Sequence, residues 1–182
     1  MNKIQDLEKR KRLRLQNYDY DSHGAYFLTI CTHQRKPILS KIAPVTVGDG
    51  AHDVPFESNN GIIQHTTIGK IVEKYLLSSE NIPGIKIDQY VIMPNHIHVI
   101  IIVESNPIPP CGTSKAPSPT SAIIPRAVSA FKRFCNREIG YNIFQRGYHD
   151  HIIRNEKDYT AIVQYIAENP LKWEQDCFYE PY

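Results

Sequence analysis

Apolar and polar positions alternate with two different periods along this chain, and the switches between them outline the elements. Residues 85–103, "IKIDQYVIMPNHIHVIIIV", hold two apolar runs, 85–93 and 96–103, around Pro94-Asn95. Two strands joined by so tight a turn predict an antiparallel hairpin. "AYFLTICT" (25–32) and "YHDHIIR" (148–154) also read as strands, the first from its aromatic and β-branched residues. Between them, Ile68, Ile71, Val72, Tyr75 and Leu76 recur at i, i+3, i+4, i+7 and i+8 in "TIGKIVEKYLLSS", predicting an amphipathic helix. "IPRAVSAFKRFCNRE" (124–138) reads as a second helix, with Pro125 tolerated in its first turn. "NEKDYTAIVQYIAE" (155–168) reads as a third, with Asn155 as N-cap, acidic residues in the first turn, and Asn169-Pro170 as its stop. Residues 41–66 and 105–120, the latter with five prolines, show no sustained period and are expected to be mobile loops.

The order β-α-β-β-α-β plus a C-terminal helix predicts an α+β, ferredoxin-like fold: an antiparallel sheet with helices on one face and the other face open to a ligand. With 182 residues the chain suits one domain, expected over 25–173 between a basic N-terminal arm (1–24) and a short tail (174–182). No apolar run approaches the roughly 18 residues of a membrane span. The basic N-terminus lacks the apolar core of a signal peptide, and Cys31, Cys111, Cys135 and Cys177 form no CxxC pair. A cytoplasmic protein with no membrane partner is the expectation.

Net charge is only +2, but residues 1–40 hold eight Lys/Arg against four Asp/Glu. Lys9, Arg10, Lys11, Arg12 and Arg14 suit a phosphate backbone, and equally suit a solvated terminus. Arg146 and Arg154 are further candidates for phosphate contact, balanced against simple exposure.

Along a strand side chains alternate, so His96 and His98 share a sheet face, about 6 to 7 Å apart, with Ile97 on the other. Two readings stay open here: a hydrogen-bonded structural pair, or two imidazoles converging on one cation. A second pair, His149 and His151, flanks the charged Asp150 and fits solvated or hydrogen-bonded histidines, although His151 could line the same site if the two strands lie close. On the last helix Tyr165 and Asn169 are one turn apart, and Tyr165 lies about 80–100° off the stripe of Tyr159, Ile162, Val163 and Ile166. An off-stripe tyrosine is compatible with rim packing or with a reactive role.

"MPNHIHVI", "QRGYHDHIIRNEKDY" and "IVQYIAENPLKW", in this order, resemble the IS200-like single-tyrosine (HUH) transposases, and within them the repeat (REP)-associated tyrosine transposases. The resemblance runs from about residue 25 to 173. It implies that His96 and His98 are metal ligands, Asn169 the third ligand and Tyr165 the nucleophile. It further implies Mg²⁺ or Mn²⁺ as cofactor and single-stranded DNA with hairpin elements as partner. The reaction implied is nicking and strand transfer through a 5′-phosphotyrosine intermediate, by a monomer or a homodimer. Two alternatives remain: a non-catalytic hairpin-binding regulator, and a metal-dependent hydrolase that uses water.

Overall fold

The structure, a computed structural model, describes residues 23–43, 62–104 and 123–179. The basic residues 9–14, the loop at 105–120 and most of the loop at 41–66 lie outside the described residues. In chain order the elements are β1 (Gly24–Cys31), β2 (Ser40–Ala43), β3 (Ile62–His65), α1 (Thr67–Ser78), β4 (Ile85–Ile92), β5 (His96–Val103), α2 (Ile123–Ile139), β6 (His149–Ile153) and α3 (Glu156–Glu168).

One four-stranded antiparallel sheet runs in the order β4-β5-β1-β6, the expected ferredoxin-like arrangement. The two central strands are β5 and β1, whose register runs from Gly24 opposite Val103 to Cys31 opposite His96. Ile97, Val99, Ile101 and Val103 therefore face one way with Tyr26, Leu28 and Ile30, against Val72 and Leu76 of α1 and Val128, Phe131 and Cys135 of α2. The other face was expected to be open. Instead α3 lies over it, with Ile166, Tyr159, Ile162 and Val163 meeting Phe27, Val91 and Ile100, and Trp173 and Phe178 extending the cover. Amphipathic as it is, α3 needs an apolar partner, and the only sheet face left to it is the one that carries His96 and His98.

In "IKIDQYVI" the apolar alternation slips by one residue. The strand accommodates this with a register shift between Ile87 and Gln89, which keeps Ile85, Ile87, Tyr90 and Ile92 on the face covered by α1 and α2. Asp88, at the shift, accepts the Tyr159 hydroxyl at 2.6 Å and ties α3 to the sheet.

The ends of the segment read as loop, 41–66, are not loop. They form a two-stranded ribbon, β2 with β3, paired from Ser40 opposite His65 to Ala43 opposite Ile62. Strands of four residues are too short to show a period, and this one is pinned from outside by Ser40 Oγ donating to the Ile92 carbonyl at 2.8 Å. The ribbon runs into α1 through Thr66, whose Oγ1 accepts the Gly69 N–H at 3.0 Å as the N-cap. Gly69 is required there: a Cβ would stand 2.0 Å from the Leu39 carbonyl oxygen. Among the described residues, no helix is long and apolar enough to cross a membrane.

Candidate active site

His96 and His98 open β5 and are fully buried, at 0% and 1% exposure. Thr29, opposite His98 across the β1–β5 ladder, places Oγ1 2.9 Å from His98 Nδ1. Asn95, in the turn before the strand, donates Nδ2 to the Phe178 carbonyl at 2.7 Å, which turns its Oδ1 to His96 Nδ1 at 2.9 Å. His96 therefore donates from Nδ1 and carries its lone pair on Nε2. That nitrogen faces His98 Nε2 at 3.0 Å, so His98 supplies the proton between them while the Thr29 hydroxyl donates to its Nδ1. Burial pushes both imidazoles down to about 3, helped at His96 by the Arg35 cation and at His98 by its neighbour His96. Both are neutral near pH 7, the form that binds metals.

Tyr165 stands half-exposed on the last turns of α3. Its hydroxyl lies 3.3 Å from His98 Nε2 and 3.4 Å from Asp176 Oδ2, and its ring meets Phe27 edge-on. Burial, and then the Asp176 carboxylate, raise the phenol to about 12, so the tyrosine is not activated by its own surroundings. Asn169, one turn on, is buried. Its Nδ2 donates to Asp176 Oδ2 at 2.8 Å, while its Oδ1 is buried without a partner among the described residues. A buried carbonyl oxygen left without a donor is costly unless a cation or donor meets it.

Asp176 and Phe178 lie in the segment read from sequence as a short tail. A 3-10 turn at Trp173–Gln175 folds the chain back, closed by the Asp176 N–H on the Trp173 carbonyl at 3.0 Å. Phe178 then packs on the His96 ring at 4.7 Å between centroids, with buried Trp173 at 5.9 Å. Arg35 clamps the same segment, donating to the Cys177 carbonyl at 3.3 Å with its guanidinium over Phe178. No hydrophobic period or short motif marks this stretch. The only signal in the sequence is a carboxylate and aromatics placed just after the helix that carries Tyr165.

Donor atoms of His96, His98 and Asp176 all lie within 4.8 Å of one another. Neighbouring ligands around a divalent ion at 2.0–2.2 Å stand roughly 3 Å apart, as the two imidazole nitrogens do. These mixed nitrogen and oxygen donors fit one divalent cation, and Asn169, bonded to Asp176 through Nδ2, keeps a buried, unpartnered Oδ1. A cleft of about 300 Å³ is lined by Tyr165, Asn169, Lys172 and Asp176 among others, on the α3 side of the buried histidines.

Of the residues singled out from sequence, His96, His98, Tyr165 and Asn169 come together. His151 shares their sheet face but is exposed, with Nε2 bonded to Asp158 Oδ2 at 2.9 Å. Asp158 is in the first turn of α3, about 10 Å along the axis from Tyr165. Arg146 and Arg154 are exposed. Arg146 lies in a turn whose Gln145 and Gly147 carbonyls both accept from Lys132 Nζ, at 2.8 and 2.7 Å.

This architecture is the fold of the REP-associated tyrosine transposases. A solved structure of such a transposase bound to a REP hairpin matches with a TM-score of 0.57, over 88% of this chain and 73% of that one, at 20% sequence identity. A transposase-like protein of Deinococcus radiodurans matches with a TM-score of 0.43 at 16% identity, over 86% of this chain and 96% of that one, too loosely to argue from. By sequence, the chain belongs to the family of an uncharacterized protein of Haemophilus influenzae. The two are 33% identical over 191 aligned positions, covering 95% of this chain and 94% of the relative. No family model matches the sequence.

Proposed function

We propose that this protein is a metal-dependent DNA nuclease and strand transferase of the single-tyrosine type, with Tyr165 as nucleophile. The observation that carries the reading is the Tyr165 hydroxyl 3.3 Å from His98 Nε2, at the mouth of a neutral two-histidine, one-carboxylate donor set. A phenol has no structural need of such a neighbourhood. The shared fold with a transposase supports the class of reaction, and that enzyme's REP hairpin supports hairpin-bearing DNA as the substrate type.

His96, His98 and Asp176, with the Asn169 oxygen, would hold Mg²⁺ or Mn²⁺. Such an ion supplies charge neutralisation on a phosphate oxygen. Tyr165 Oη then forms a bond to phosphorus as the bond to the 3′ oxygen breaks. The products are a 5′-phosphotyrosine and a free 3′-hydroxyl, and the step reverses because the ester retains the phosphodiester energy. Asp176 Oδ2, at 3.4 Å, is the carboxylate nearest the departing phenol proton. Phe27 and α3 fix the ring, so ligand and nucleophile, one turn apart on one helix, are positioned together.

The same donor set would also serve a hydrolase with water as nucleophile, and one substitution separates the two readings. Single-stranded oligonucleotides are incubated with Mn²⁺, and protein–DNA adducts are resolved under denaturing conditions. Wild type is expected to form an adduct that Tyr165→Phe and His96→Ala abolish. Cleavage without adduct, surviving Tyr165→Phe, identifies the hydrolase.

A further inference from the structure

His96 and His98 are alike in burial but not in how their outer nitrogens are held. His96 Nδ1 meets Asn95 Oδ1 at 2.9 Å, and Asn95, itself fully buried, donates its Nδ2 to the Phe178 carbonyl. An amide is an acceptor at one end and a donor at the other, so with Nδ2 engaged this partner only accepts. His96 is thereby locked with its proton on Nδ1 and its lone pair on Nε2, the form a metal ligand needs.

His98 is held by a hydroxyl instead. Thr29, opposite it on the β1–β5 ladder and 6% exposed, has His98 Nδ1 as the one hydrogen-bond partner of its Oγ1 among the described residues, at 2.9 Å. A β-branched side chain is stiff at χ1, so the oxygen stays in place while its hydrogen can turn. A hydroxyl both donates and accepts, so it suits either neutral form of the ring. An aliphatic side chain there would suit neither.

That freedom matters because the two Nε2 atoms are only 3.0 Å apart. Two lone pairs repel at such a distance, so one nitrogen carries a proton, and with His96 locked it is His98. Ligation of one divalent ion by both rings needs both lone pairs. His98 then gives up its Nε2 proton, and the ring stays neutral by taking one at Nδ1. Exchange with water balances the change, one proton off and one on. The new Nδ1–H points at Thr29 Oγ1, which accepts where it had donated.

We propose that Thr29 is a positioning residue for metal ligation, its hydroxyl reversing from donor to acceptor as His98, and not His96, changes tautomer. The inference rests on the reading of His96 and His98 as ligands of one divalent ion. It makes the two histidines unequal. His96 is prepared by the residue before it, whereas His98 is converted by a partner 69 positions away. Partners of this kind are typically worth about 10- to 100-fold in metal affinity.

The test reads the tautomers directly. Two-bond proton–nitrogen NMR spectra of ¹⁵N-histidine-labelled protein tell Nδ1–H from Nε2–H in each ring, and a His98→Gln sample fixes the assignment. On addition of Zn²⁺, a diamagnetic probe, His98 is expected to pass from Nε2–H to Nδ1–H, and His96 to show Nδ1–H throughout. Calorimetric titration with Mn²⁺ is the second readout. Thr29→Val, close in shape but without the hydroxyl, is expected to weaken binding about tenfold or more, and Thr29→Ser to restore most of it. Melting temperatures of both variants are read alongside, because valine leaves Nδ1 without a partner in either tautomer. A His98 with the same tautomer before and after Zn²⁺ binds, or equal Mn²⁺ affinity in wild type and Thr29→Val, overturns the proposal and leaves the metal site standing. Thr29→Ser as weak as Thr29→Val traces the loss to packing and overturns it too. A wild type that takes up neither ion removes the metal reading itself, and the proposal with it.

Discussion

The Tyr165 hydroxyl and His98 Nε2 are 3.3 Å apart, although the two residues are 67 positions apart in sequence. The contact joins α3 to the centre of the sheet, and it is long for a hydrogen bond that earns its place by stability. Tyr165→Phe should therefore leave the protein within about 1 kcal/mol of wild type in a urea melt, while abolishing covalent adduct. A large loss of stability would instead make Tyr165 a structural residue.

Asp176 divides its carboxylate between Tyr165 and Asn169, within reach of both histidines. As a ligand, its replacement in Asp176→Asn should weaken Mn²⁺ binding roughly tenfold or more by calorimetric titration, and His96→Ala should do so at least as severely. Unchanged affinity in Asp176→Asn would remove the aspartate from the site. Asp176→Asn should leave the tertiary fold intact, whereas His96→Ala removes a fully buried ring packed on Phe178, so its melting temperature is read beside its metal affinity.

Acid should unfold this protein early. His96 and His98 are lowered from 6.5 to about 3 in the folded chain, chiefly by burial. Below about pH 6.5 the unfolded chain binds protons that the folded chain refuses. Stability is therefore complete above that value and is lost as pH falls towards about 3. Between about pH 7 and pH 5 the pair should cost on the order of 4 kcal/mol. A urea midpoint that does not move over this range would show that the pair is not held neutral.

The pairing of His96 with His98 was legible because a strand has a period of two and its hairpin partner was marked by Pro94-Asn95. Helix starts were equally readable where a side chain caps the backbone, as Asn155 does by accepting the Asp158 N–H at 2.9 Å. What the pattern did not carry were features set by distant contacts. The β2–β3 ribbon depends on Ser40 reaching Ile92, and the slip in β4 resolves only against β5. Asp176 and Phe178 follow the last helix without any period, and their position over the histidines comes from a 3-10 turn, Arg35 and Asn95. The covering of the second sheet face was missed for the same reason: amphipathicity says that α3 must pack, not where.

The close approach at Gly69 gives a prediction independent of chemistry. With the Leu39 carbonyl 2.0 Å from where a Cβ would sit, Gly69→Ala must push the ribbon away from α1. The loss should be at least about 2 kcal/mol, read as a fall in melting temperature, despite the better helix propensity of alanine. A melting temperature equal to wild type would mean that the ribbon is free to shift.

The most direct test of the central claim is to locate the covalent bond. After reaction with a single-stranded oligonucleotide and Mn²⁺, the adduct is digested with protease and nuclease and the modified peptide is sequenced by mass spectrometry. The account predicts a 5′-phosphonucleotide on Tyr165, with the released strand ending in a 3′-hydroxyl that a polymerase extends. A modification on another residue, or cleaved DNA with no modified peptide, would contradict it.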